Sequence, residues 1–410
     1  MNNYSPIKEC PITNNTEHIQ YFSLGSIPLV NNLNTTREES LNAERFPLNV
    51  NYHIPSGLSS LDIAVDGDLL FSNYLFKSEV NIPYIEHCKN MFNFIKNYIS
   101  LEENSKFVDI GGNDGTLLKT FESQTDKNLW LLNIDPSENL SKLSVSKGIP
   151  TLTKFFNLEI AQGMENNVDV VTSTNVFQHL KDLNSFAEGV RHILSNNGVW
   201  ALEFPYWINS METNQFDQIY HEHMYYHSVT PLKALMEKHK MKIINVTKHD
   251  IHGGTLRLII TREESLLKSD ITVEEYLKSE TNYDLNYHIN WGEQVQTHIT
   301  ASKYFIKELK SRNKTIYGFG AAAKGCIYLN AMGLTYNDID YIIDDTDIKQ
   351  NKFVPGTGIQ IISRDILNDK QPDYILVLAH NFKDYIMNSL KEFGYKGKFI
   401  ILVPKIQTYE

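Results

Sequence analysis

Six of the 14 histidines fall between Tyr220 and His252, where even scattering would put about one. The core of the run reads Phe216-Asp217-Gln218-Ile219-Tyr220-His221-Glu222-His223, followed by Tyr225, Tyr226, His227 and Ser228. Imidazoles titrate near neutral pH, and a neighbouring carboxylate or phenol sets their orientation and basicity, so the run suits acid–base chemistry. Metal ligation is a competing reading, because His221 and His223 share a face if the chain is extended. The H-E-x-x-H spacing of zinc hydrolases is absent and no clear third ligand follows, so no metal is expected there. A third reading is structural, with histidines and tyrosines satisfying one another under a loop.

A second cluster reads Val108-Asp109-Ile110-Gly111-Gly112-Asn113-Asp114-Gly115-Thr116-Leu117. It has the pattern of a strand, a tight glycine turn and a helix start, which lets backbone approach a ligand closely. Asp135 ends the next strand, 24 residues after Gly111, where a carboxylate can hold two ribose hydroxyls. The glycine spacing departs from G-x-G-x-x-G, and Asp109 would repel a pyrophosphate. An acidic strand end suits a cationic ligand instead, and S-adenosylmethionine carries a sulfonium and an ammonium. The stretch is similar to the D-x-G-x-x-x-G motif of class I methyltransferases, which makes Asp109, Gly111, Gly112, Asn113, Asp114, Gly115 and Asp135 the expected cofactor contacts. The alternative is a tight turn that holds no ligand.

These residues need elements to position them. Phe107 to Ile110, Trp130 to Ile134, Val168 to Thr172 and Val199 to Phe204 read as apolar strands alternating with helices, the pattern of a parallel sheet covered on both faces. Ile85, Cys88, Phe92, Ile95 and Ile99 fall at helical spacing before it. A second α/β unit has strands at Thr315–Phe319, Tyr341–Ile343, Tyr374–Leu378 and Phe399–Leu402. Val295, Ile299, Ser302, Ile306 and Leu309 predict a long helix between the units. The first eighty residues carry turn signals such as Leu24-Gly25-Ser26-Ile27-Pro28 and predict a small irregular or β-rich module. The expected division is 1–80, 81–285 and 286–410.

Composition narrows the classes. The 410 residues carry 38 Lys and Arg against 49 Asp and Glu, a net charge of −11, which disfavours a nucleic-acid binder. Three cysteines, Cys10, Cys88 and Cys326, make no disulfide framework and suggest a reducing cytoplasm. No run approaches the roughly 18 apolar residues of a membrane span, and the N-terminus does not read as a signal peptide.

Taken together the motifs resemble those of the nucleotide-sugar C-methyltransferases over essentially the whole chain. Besides the two clusters above, the landmarks are Phe46-Pro47-Leu48, Asn175-Val176-Phe177-Gln178-His179 and His252-Gly253-Gly254-Thr255-Leu256-Arg257. Gly318-Phe319-Gly320-Ala321-Ala322-Ala323-Lys324-Gly325 and Pro355-Gly356-Thr357-Gly358-Ile359 complete the set. The resemblance implies an α/β chain with a class I methyltransferase Rossmann-like centre, a zinc-module-like N-terminal part and a Rossmann-like C-terminal domain. It implies methylation, at C-3, of a 4-keto-deoxyhexose carried on a nucleoside diphosphate, as in deoxysugar and surface-polysaccharide biosynthesis, with S-adenosylmethionine as donor. His223 would be the general base, with Glu222 and Tyr220 positioning it or touching the sugar, His179 beside the keto sugar, and Asn175 at the cofactor.

The resemblance also implies that the C-terminal turn helps hold the diphosphate, where a helix N-terminus and Lys324 supply positive charge. His221, Arg257 and Asn381 join Lys324 as expected substrate contacts, with His380 beside Asn381. A second cofactor such as NAD, or a purely structural C-terminal module, are the alternatives there. An O- or N-methyltransferase, or a sugar-nucleotide-binding protein without catalysis, are the alternatives for the whole.

One departure stands out. The family's zinc site uses two C-x-x-C pairs, but here they read Cys10-Pro11-Ile12-Thr13 and His53-Ile54-Pro55-Ser56. Thr and Ser are poor zinc ligands, so zinc is expected to be absent and replaced by local packing.

Overall fold

The computed structural model describes residues 3–71 and 82–410. Its centre is a seven-stranded sheet built from β1 (Lys106–Ile110), β2 (Trp130–Ile134), β3 (Thr151–Leu152), β4 (Val168–Thr174), β5 (Leu194–Pro205), β6 (Met241–His249) and β7 (Thr255–Arg262). The order across the sheet is β3-β2-β1-β4-β5-β7-β6, parallel except that β7 runs antiparallel to β5 and β6. Chain order reverses between β1 and β4, and the carboxyl ends of strands at such a reversal leave a crevice for a ligand.

Alternate residues of the strands face two cores. Val108 and Ile110 pack with Phe177, Phe186 and Trp200 on one face, while Phe107 packs on the other with Phe121 and with Cys88, Met91, Phe92 and Ile95. Those last four lie on one side of the helix Ile82–Ile95, which ends before Ile99. The expected boundary at residues 80 and 81 lies outside the described residues.

The N-terminal part is a four-stranded antiparallel sheet made of His18–Pro28, Arg45–His53, Ser59–Leu61 and a short strand from elsewhere in the chain, Tyr225–Tyr226. Phe46, Leu48 and Val50 alternate inward along Arg45–His53, the period-two pattern of a half-buried strand. Tyr225 pairs with Ser60 and Tyr226 with Ser59, so the end of the histidine-rich segment is stitched to this module. Where the zinc ligands are replaced, the buried Cys10 thiol lies 3.1 Å from the Ser56 hydroxyl, and His53 Nε2 lies 2.9 Å from the Ser60 hydroxyl. Among the described residues no group of three His, Cys, Asp or Glu side chains is arranged to hold a metal.

A helix of 27 residues, Leu285–Ser311, leads to the C-terminal sheet, with the Asp284 carboxylate capping its first turn through Tyr287 N–H. That sheet runs in the order β10-β9-β8-β11-β12-β13, where β8 is Ile316–Phe319, β9 Tyr341–Ile343, β10 Ile361–Ile362, β11 Tyr374–Val377, β12 Lys398–Ile401 and β13 Gln407–Tyr409. All pairs are parallel but the last. No described helix is long and apolar enough to cross a membrane.

Candidate active site

A cavity of about 630 Å³ opens at the carboxyl ends of β1, β2 and β4. Its size is that of a site for a small molecule. Gly111, Gly112, Asn113, Asp135 and Asn175 line one end, and His179, Tyr220, His223 and Lys324 line the other.

The glycine turn is crowded from within the protein. Gly111 has φ +71°, and a Cβ there would meet Val176 at 2.3 Å. A Cβ on Gly112 would lie 2.2 Å from Asn133 Oδ1 and 2.5 Å from Asp109 Oδ2, so Gly112 is required by the two side chains beneath it. Asp135 accepts the N–H of Asn113 on one oxygen and that of Ser137 on the other, each at 2.9 Å. Asp109 accepts from the Thr172 hydroxyl at 2.7 Å, while its other oxygen is buried without a partner. Burial raises its carboxyl to about 7. Asp109 lies beneath the turn and does not line the cavity, and an acidic group there suits a cationic ligand better than a pyrophosphate.

Asp114 and Gly115 serve the turn itself and do not line the cavity. Asp114 accepts the Thr116 hydroxyl at 2.7 Å and pairs with Lys147 at 3.0 Å. Gly115, at φ +75°, starts the helix Thr116–Glu122.

At the other end the histidines are held by backbone. His223 Nδ1 donates to the carbonyl of Gln218 at 2.9 Å, and its Nε2 accepts no hydrogen bond from the described residues. Burial, then the neighbouring His179, pushes the His223 imidazole well below its ordinary value, so it is neutral and basic at Nε2. Tyr220 lies over it, ring centroids 4.0 Å apart, and His179 meets it edge-on at 4.9 Å. His179 Nδ1 donates to the Glu222 carbonyl at 2.6 Å, and its Nε2 lies 3.3 Å from the Gln178 amide nitrogen.

Several expected catalytic and substrate residues stand elsewhere than the cavity. The Glu222 carboxyl turns to the N-terminal module, accepting from Asn31 at 2.5 Å, and burial raises it to about 7. Only its backbone carbonyl reaches the histidines. His221 Nε2 lies 3.1 Å from the Pro47 carbonyl and 3.3 Å from that of Phe46, which turns it away from His223. Arg257 is 1% exposed and sits in β7, its Nε donating to Glu203 at 2.7 Å. Burial alone would raise the Glu203 carboxyl, but Arg257 and His87 outweigh it and bring it to about 2. A guanidinium sealed into such a pair is spent on structure. Asn381 also lies outside the cavity lining; its side chain approaches Gly253, where a Cβ would meet it at 3.0 Å.

Sequence reasoning missed several partners. Gln218 and Gln178 orient the two imidazoles, yet a glutamine and a carbonyl carry no motif. Asp217, on the turn Phe216–Gln218, accepts from His380 Nε2 at 2.8 Å and ties the segment to the C-terminal domain. In that domain Asp344 accepts the Ala321 N–H at 2.8 Å and pairs with Lys349 at 3.3 Å, and Asp345 pairs with Arg364. Both carboxylates after β9 are thus engaged by protein, which leaves a second dinucleotide little to hold.

Comparison with known proteins bears on the activity and the fold. Residues 86–246 match the family of the methyltransferase domain, and residues 250–404 match the C-methyltransferase C-terminal domain. The chain is similar to the C-methyltransferase NovU of Streptomyces niveus, 28% identical over 98% of this chain and 96% of the relative. The chain is a methyltransferase, and these matches support a C-methyltransferase. Its central strand order is that of the class I, S-adenosylmethionine-dependent methyltransferase fold. Solved structures similar to the methyltransferase include the magnesium protoporphyrin IX methyltransferase ChlM of Synechocystis PCC 6803, 12% identical, covering 45% of this chain and 81% of that one with a TM-score of 0.34. A putative methyltransferase solved with the Haloferax volcanii Trm112 activator is 13% identical, covering 44% and 95% with a TM-score of 0.35.

Proposed function

We propose that this methyltransferase transfers a methyl group from S-adenosylmethionine to C-3 of a 4-keto-deoxy sugar carried on a nucleoside diphosphate. The observation that carries the reading is a neutral imidazole, His223, with its Nδ1 proton committed to Gln218 and its Nε2 unbonded, in the same cavity as the glycine turn and Asp135. A sugar carbon becomes nucleophilic only when a neighbouring ketone makes its proton acidic. His223 Nε2 takes the proton from C-3, and the electron pair moves into an enolate whose charge rests on the ketone oxygen. Asp135 would hold the ribose hydroxyls of the donor, Gly111, Gly112, Asn113 and Asn175 would pass along it, and Asp109 beneath the turn would be the acidic group suited to its positive charge. Bound there, S-adenosylmethionine would supply an electrophilic methyl group for the enolate carbon. The imidazolium of His223 then returns its proton to solvent. Tyr220 and His179 border the sugar and hold His223 in place.

The experiment is hydrogen exchange in D2O without methyl donor. A panel of TDP-, GDP-, CDP- and UDP-linked 4-keto-6-deoxyhexoses should include one substrate that takes up deuterium at C-3 and gains a methyl when the donor is added. Methyl transfer to oxygen or nitrogen with no exchange at carbon would replace this reading with heteroatom methylation. Binding without either reaction would make the chain a carrier of sugar nucleotides.

A further inference from the structure

Lys324 reaches the cavity from the C-terminal domain, as the second residue of the helix Ala323–Met332. Its ammonium nitrogen is shut off from solvent and has no hydrogen-bond partner among the described residues. A buried cation without a partner is costly and persists where an opposite charge stands near or a ligand completes it. The opposite charge here is Asp217. One of its oxygens takes the His380 proton at 2.8 Å, and the other is buried without a hydrogen bond. Burial opposes the ionised form, yet the charges of His380 and then Lys324 hold the Asp217 carboxyl below its usual range. Tyr328, one turn after Lys324 on the same helix, packs its ring on Phe216 at 4.6 Å and keeps its own hydroxyl buried and unpartnered. The C-terminal helix therefore delivers an ammonium to the segment that also carries the base, since Asp217 immediately precedes Gln218, the residue that orients His223.

His179, at this end of the cavity, is already committed. His179 gives its Nδ1 proton to Glu222, and its Nε2 meets the Gln178 amide. An imidazole is a weak base for a carbon acid unless the charge growing on the ketone oxygen is met by a placed donor. We infer that Lys324 is a further catalytic residue, whose ammonium binds the C-4 ketone oxygen of the sugar and holds the enolate, with Asp217 and His380 keeping the cation in place until substrate arrives. This goes further than holding a diphosphate and rests on the keto-sugar reading above. As C-3 loses its proton to His223, the single negative charge of the enolate forms between two cations, the new imidazolium and the Lys324 ammonium. No proton leaves Lys324, and the ammonium lets go when the methylated ketone is restored.

The test uses the full chain and the panel member that wild type exchanges fastest at C-3. Lys324→Met should lower exchange without methyl donor by about 100-fold or more, while calorimetric binding of the matching nucleoside diphosphate alone stays within about twofold. Exchange within about threefold of wild type, or a loss confined to nucleoside-diphosphate affinity, would overturn the assignment and return Lys324 to the diphosphate. If the Met variant does not fold, Lys324→Arg and Lys324→Gln decide the matter. The charged variant should exchange about tenfold or more faster than the neutral one, and equal rates overturn it. Wild type that exchanges no member of the panel overturns the keto-sugar reading, and this assignment with it. Wild type that exchanges alongside an equally active Lys324→Met overturns the assignment alone.

Discussion

His223 Nδ1 lies 2.9 Å from the carbonyl oxygen of Gln218, and this one contact chooses the tautomer. A backbone carbonyl only accepts, so the proton sits on Nδ1 and the lone pair on Nε2. His179 has the same Nδ1-to-carbonyl arrangement with Glu222, but its Nε2 already faces an amide. Of the two, His223 is the one proposed as the base. Replacing it with Gln keeps the size and the contact to Gln218 while removing the lone pair. His223→Gln should lose about 10²- to 10⁴-fold in kcat, with S-adenosylmethionine affinity unchanged by calorimetry. Near-normal turnover would take His223 out of the role.

The pH profile follows from burial of the same ring. Burial, then His179, pushes the His223 imidazole down, Lys324 and His227 add to the effect, and only the Gln218 carbonyl opposes it. The base is active when unprotonated, so activity is lost as pH falls through its lowered value. The acidic limb of kcat/KM should lie below pH 6.5, the ordinary imidazole value. A limb at or above 6.5 would contradict the neutral buried base.

Glu222 makes a separate prediction about stability. Its folded value is raised from 4.5 to about 7 by burial, with the Asn31 hydrogen bond opposing. Its stabilising contribution is therefore complete below pH 4.5 and is lost as pH rises through about 7, amounting to on the order of 3 kcal/mol. Glu222→Gln, neutral throughout, should flatten the fall in Tm between those values. An unchanged slope in thermal unfolding scans would show that the carboxyl is ionised in the folded chain.

Arg257 is expected to matter for folding. Arg257→Met leaves Glu203 buried without its guanidinium, at a cost of about 3–5 kcal/mol. Chemical denaturation should report that loss, while KM for the sugar nucleotide stays near wild type in protein that remains folded. A KM effect without a stability effect would put Arg257 at the substrate.

For the N-terminal module, metal analysis of purified protein should find zinc well below one per chain, and a chelator should leave Tm unchanged. Stoichiometric zinc that disappears in Cys10→Ser would overturn this, since Ser56 now occupies a place where a thiolate is needed.

The sequence made the central chemistry legible because local signals carried it. A buried strand ending in glycines marked Phe107–Gly115, and apolar spacing marked the interdomain helix, which the structure extends to Leu285–Ser311. Two central strands escaped notice, Met241–His249 and Thr255–Arg262. The first mixes Asn245, Thr247 and Lys248 among its apolar residues, and the second buries Arg257, so neither reads as a clean apolar or alternating run. Pairing of Tyr225 and Tyr226 with Ser60 and Ser59 joins residues about 165 positions apart, which no local periodicity can encode. The placement of Glu222 and His221 away from the cavity is hidden for the same reason. Their side chains answer to Asn31, Phe46 and Pro47, partners visible only once the N-terminal module is folded against them.

The strand Tyr225–Tyr226 also bears on how such a protein can be rebuilt. The stretch carrying the base is fastened by backbone to the N-terminal sheet and by the Asp217–His380 contact to the C-terminal domain. A chimera that swaps either end for that of a distant relative would have to bring matching partners across the seam. Excising the middle alone would leave the segment that carries His223 without either of these fastenings.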